Sequence, residues 1–84
     1  MTKRQINPLD KVVGLHVTCF MDDGFIINMT RRNAMKYAQT LSDIKESGSV
    51  ENVSMIITSH RGFVTELEAE DIESMEVIAY DTLS

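Results

Sequence analysis

Arg31, Arg32 and Lys36 stand together where the apolar spacing predicts the start of a helix. Cations at a helix start oppose its dipole, by about 0.3–1 kcal/mol each when exposed. Arg32 and Lys36 are in addition an i, i+4 like-charge pair. The arrangement becomes favourable when an anion lies over it, because first-turn amides and guanidinium groups together hold a phosphate or carboxylate. His60 and Arg61 in a predicted turn, with Lys3 and Arg4 in an N-terminal arm, join this end if the two predicted hairpins fold side by side. The candidate ligand-binding set is therefore Arg31, Arg32, Lys36, His60 and Arg61. Arg32→Glu is the change expected to abolish binding while leaving the melting temperature nearly unchanged. The competing reading is a solvated face whose cations pair with Asp22, Asp23 or the acidic C-terminal half.

Other chemistry-bearing residues point to structure. His16 lies mid-strand among small or apolar neighbours, where a histidine is more often packed than catalytic. Cys19 falls on a core face and behaves there as a small hydrophobe. Positions 16 and 19 point to opposite faces of one strand, which excludes a Cys–His nucleophile pair between them. Asp22 and Asp23 read as turn chemistry rather than as cation ligands. No zinc, calcium or phosphate-loop spacing occurs, and no Gly-rich loop or Ser-His-Asp pattern. No cofactor and no catalysis is expected; an enzyme would need an acid or nucleophile within hydrogen-bond reach of His16 or His60. The acids Glu66, Glu68, Glu70, Asp71, Glu73 and Glu76 form the second conspicuous group. They read either as a mimic of a phosphate row or as protection of an exposed edge strand.

These residues are positioned by a pattern of one helix among strands. Val13, Leu15, Val17, Cys19 and Met21 alternate along Val12 to Met21, and Phe25, Ile27 and Met29 along the return strand. Asp22-Asp23-Gly24 is the turn between them, with glycine supplying a positive φ. From Thr30 to Gly48 the apolar residues Ala34, Tyr37, Ala38, Leu41 and Ile44 take the spacing of one helical face. Thr30 is the expected N-cap and Gly48 the left-handed closing residue. Val50 to Ser59 and Phe63 to Ala69 are the next two strands, joined by a turn at His60-Arg61-Gly62. Glu70 to Glu73 is a short turn, and Met75 to Tyr80 the last strand. Gly24-Phe25-Ile26-Ile27-Asn28-Met29 aligns with Gly62-Phe63-Val64-Thr65-Glu66-Leu67 at a shift of 38 residues. The resemblance is what any two hairpins with glycine before an aromatic share.

The expected fold is α+β: an antiparallel sheet of about five strands (β-hairpin, helix, β-hairpin, β-strand) with one long helix packed on one face. Residues 1–10 are a flexible N-terminal arm, and 11–84 a single domain. Ile26, Ile56, Val64 and Ile78 place apolar groups on the face the helix leaves uncovered, which favours homo-oligomerisation.

The 84 residues are 43% hydrophobic and 25% charged, the values of a globular chain. One core is feasible, with a stability of about 5 kcal/mol. No apolar run approaches the roughly 20 residues of a membrane span, and no secretory leader is expected. With one cysteine no internal disulfide forms, so a reducing, cytoplasmic setting is expected. The net charge of −5 is polarised: residues 1–61 carry eight bases and six acids, and residues 62–84 seven acids and no base. Direct nucleic-acid binding is not expected at 6% aromatics and negative charge. The expected function is that of a small non-catalytic binding protein acting as a homo-oligomer, which sequesters an anionic or nucleotide ligand or blocks a protein partner. Size, acidity and lack of catalytic spacing resemble in kind the small inhibitors that phages turn on host enzymes, though no residue motif carries a family. The alternative is a structural or regulatory assembly module that self-associates through polarised charge and sheet faces. High salt would weaken such a module and added nucleotide would not affect it.

Overall fold

The structure, a computed structural model, describes residues 8–78. Lys3, Arg4 and the end of the last predicted strand lie outside the described residues. A 3-10 turn at Pro8–Asp10 leads into β1 (Val12–Cys19), β2 (Phe25–Thr30), α1 (Arg31–Ser47), β3 (Ser54–Thr58), β4 (Val64–Glu68), a 3-10 turn at Ala69–Asp71, and β5 (Ile72–Ile78). The α+β class stands. The strands form two antiparallel sheets, β2-β1-β5 and β3-β4, where one sheet of about five was expected.

The register of the larger sheet follows its apolar alternation. Leu15 faces Ile27 in β2 and Val77 in β5; Val17 faces Phe25 and Met75. Val13, Leu15, Val17, Ile27 and Met29 are buried on this face beneath Ala34 and Leu41 of α1. Met55 and Ile57 of β3 join the same core, and Tyr37, Ile44 and Leu67 pack at its border. α1 is capped as its sequence predicts. The Thr30 hydroxyl accepts the Asn33 N–H, and Gly48 at φ 78° donates its N–H to the Lys45 carbonyl.

Tyr37 is the physical reason the sheet divides. The Ser59 N–H donates to the Phe63 carbonyl at 2.8 Å, so that residue turns toward β4. Backbone groups alternate sides along a strand, so Thr58 and His60 direct their amides the other way. His60 N–H reaches the Asn28 carbonyl of β2 at 2.7 Å. Thr58 N–H instead donates to the Tyr37 hydroxyl at 3.1 Å. A helix side chain thus takes the donor that a continued β2–β3 ladder needs. The His60–Asn28 bond is the backbone rung between the two sheets among the described residues.

Other expectations shift locally. β3 starts at Ser54 rather than Val50, because the chain turns through Asn52 at φ 62°, a left-handed conformation asparagine tolerates. β5 starts at Ile72, which was assigned to the turn. A bulge between Thr18 and Cys19 lets Ile72 pair with Cys19 and become fully buried. β1 ends at Cys19, leaving Met21 86% exposed rather than on the core face, and Phe63, just before β4, is 71% exposed. Gly24 has no positive φ. Its requirement is space, since a Cβ there would stand 2.8 Å from His16 Nε2 and 2.9 Å from the Val17 carbonyl oxygen. Among the second-face residues, Ile26 (48%), Ile56 (59%) and Val64 (65%) are open and Ile78 is half-buried.

Candidate functional site: a groove between the sheets

Where β2 and the β3–β4 hairpin part, they leave a groove of about 670 Å³. One wall is β2, with Phe25, Ile26, Ile27 and Asn28, extended by Val12 of β1. The other is the hairpin tip, with Ser59, His60, Arg61, Phe63 and Thr65. The volume lies within the usual 300–1,000 Å³ range of small-ligand sites, and the mix of apolar walls with a few polar groups is typical of them.

Ser59 organises the tip. Its Oγ accepts the N–H groups of Arg61 (3.3 Å) and Phe63 (3.1 Å), while its carbonyl accepts the Gly62 N–H at 3.0 Å. Four bonds on one residue, counting Ser59 N–H to Phe63, hold Arg61 and Phe63 in a fixed loop, so side chains projecting from it lose little further backbone freedom on binding. His60 N–H anchors the loop to β2. Arg61 supplies the groove with a cation and His60 with an imidazole, and among the described residues no acid lines it.

The five predicted site residues fall in two places. His60 and Arg61 line the groove. Arg31, Arg32 and Lys36 do not. Successive helical residues lie about 100° apart, so Arg31 sits on a different stripe of α1 from Arg32 and Lys36. Arg31 donates its backbone N–H to the Lys11 carbonyl at 2.8 Å, and its Nε is buried with no hydrogen-bond partner among the described residues. Arg32 is exposed and pairs through Nη2 with Asp10 Oδ1 at 3.3 Å. The anion beside the helix start is therefore the chain's own Asp10, a partner other than the Asp22, Asp23 or C-terminal acids expected. Lys36 stands exposed on the outer face.

The groove's apolar walls escaped the sequence reading. Alternation puts Phe25 on the core face and Phe63 inside a strand, yet Phe25 is 36% exposed and Phe63 71%, and both line the groove. The signal that pointed to them was the repeated Gly-Phe step, which puts an aromatic at the same place in each hairpin.

The remaining reactive groups do not assemble. Cys19 has its thiol pushed above the usual value, first by desolvation and then by the Asp22 and Asp71 carboxylates. That suppresses the thiolate, the form a nucleophile needs. Among the described residues no group of three or more His, Cys, Asp or Glu is arranged to hold a metal ion. No helix among them is long and apolar enough to cross a membrane. Compared with protein-family models, with curated proteins and with solved structures, the chain matches none.

Proposed function

We propose that the protein is a non-catalytic binding module that holds an anionic ligand in the groove between β2 and the β3–β4 tip. The observation that carries this reading is the groove's charge. In a chain of net charge −5, its lining contains Arg61 and His60 and, among the described residues, no acid. A guanidinium on a fixed loop forms charge-assisted hydrogen bonds to phosphate or carboxylate. Phe25, Phe63 and Ile26 offer an apolar surface to the rest of the same ligand, as a nucleotide's base would use. Copies of the chain associate through the open apolar positions Ile56 and Val64, which lie outside the groove. Sequestering the ligand, or blocking the larger partner that bears it, is the activity such a module has.

ATP and inorganic phosphate are the first probes. ATP is expected to raise the melting temperature with rising concentration, because it binds the folded state alone. Arg61→Glu should remove that rise without altering the ligand-free melting temperature, since Arg61 is exposed. Native mass spectrometry of the same samples reads adduct and copy number together. A melting temperature indifferent to both probes, or a rise that survives Arg61→Glu, overturns the reading.

A further inference from the structure

We infer that the groove's occupant is an extended acidic peptide that adds a strand to β2 at Ile26. The inference rests on the anion-binding reading and names the partner class of the same groove. Its first support is hydrogen-bond accounting. Arg31 N–H donates to Lys11 O, continuing the β1–β2 register by one step. The bonded pairs of that ladder are therefore Val13 with Met29, Leu15 with Ile27, and Val17 with Phe25. Ile26 and Asn28 belong to the alternate set, whose N–H and C=O groups point away from β1. Asn28 shows this directly, since its carbonyl accepts His60 N–H from the far side. Two residues earlier, Ile26 presents the same pair of groups to the groove. Among the described residues these two groups of Ile26 have no partner, and an unpaired edge donor and acceptor is what an added strand uses.

The second support is where the molecule's other edges stand. β4 carries Glu66 and Glu68, whose side chains share the exposed face with Ile56 and Val64. β5, the far strand of the larger sheet, carries Glu73 and Glu76. The Thr58 position of β3 is filled by Tyr37. β2, Phe25–Thr30, carries no acid and has Arg61 and His60 across the groove from it. An acidic strand is repelled from the edges of β4 and β5 and drawn to β2. The tip then sets the limit, because His60 already occupies the Asn28 rung. The guest strand runs along Phe25 to Ile27, with a carboxylate beside Arg61 and an apolar side chain against Phe63 or Ile26.

The test uses a labelled pentapeptide, acetyl-Val-Glu-Val-Glu-Val-amide, with the full chain. Binding is followed by fluorescence anisotropy, and exchange of the Ile26 amide by NMR. Strand addition predicts at least tenfold slower Ile26 exchange in the complex. It predicts at least tenfold weaker binding for Arg61→Glu and for the peptide with lysine in place of glutamate. N-methylation of one alternate set of peptide amides should abolish binding, and methylation of the other set should be tolerated, because only one set faces β2. Peptide binding that leaves Ile26 exchange unchanged, or tolerates both methylation patterns, overturns the inference. If the peptide fails while ATP still stabilises the protein through Arg61, the anion-binding groove stands and strand addition falls. If neither binds, both fall.

Discussion

The β1–β2 and β3–β4 hairpins share a plan: strand, polar turn, Gly-Phe, strand. Gly24-Phe25 opens β2, and Gly62-Phe63 leads into β4. Their settings differ. The first hairpin gains β5 along its free edge and α1 across its face, and Leu15, Val17 and Met29 at its centre are fully buried. The second gains no third strand among the described residues. Met55 and Ile57 reach the common core, while Ile56 and Val64 on its other face stay open. A two-stranded ribbon alone is marginal in water. Here its inward residues and the hydrogen bonds from Thr58 to Tyr37 and from His60 to Asn28 hold it against the platform. The same local plan thus yields a platform paired along its edge and covered by a helix in one place, and a two-stranded wall with a bonded tip in the other, and the groove lies between them.

This contrast is open to attack at the platform first. Leu15→Ala removes a fully buried side chain from the central strand and should cost about 2–5 kcal/mol, read as a lower urea midpoint by circular dichroism. Loss of only the hairpin's signals, with the helix intact, would mean that the platform does not depend on β1 packing. Next in size is Tyr37→Phe, which keeps the ring and removes the acceptor for Thr58 N–H. The expected loss is about 0.5–1.5 kcal/mol, with faster amide exchange at Thr58 and no change at Leu15. Equal acceleration at both amides would show that the hairpin and platform open as one unit. The smallest effect belongs to Ile56→Val on the open face, expected within about 0.5 kcal/mol at a dilution where copies are separate. At the adjacent buried Ile57, the same substitution should cost about 0.5–1.5 kcal/mol. Similar losses at the two positions would mean that the outer face is covered in solution, as association of copies requires.

Much of the platform was legible because its signals are local. Alternation from Val13 to Val17, the Thr30 cap and the Gly48 φ each act within a few residues. The sheet's division was not legible, because it depends on a tyrosine hydroxyl 21 residues from the amide it captures. Ile72 was misassigned for a similar reason. A bulge in β1, far away in sequence, decides that it pairs. Among site residues, the turn position of His60 and Arg61 was readable, but their neighbours were not, since alternation puts Phe25 on the core face and Phe63 inside a strand rather than beside it. The cations at the helix start were recognised as electrostatically unusual, and the structure places Asp10 beside Arg32. Sequence spacing did not reveal that pairing, because Asp10 and Arg32 are brought together by the β1–β2 hairpin.

The sheet order has a kinetic side. Of the described strands β1 is made first and lies in the middle of its sheet, and its second partner, β5, is made last. Val17 meets Met75 only after nearly sixty intervening residues have been synthesised. Closing a loop that long is entropically slow compared with forming a hairpin. On the ribosome, then, the β1–β2 hairpin and α1 emerge early as an unfinished half, and cooperative folding waits until residues 72–78 clear the exit tunnel.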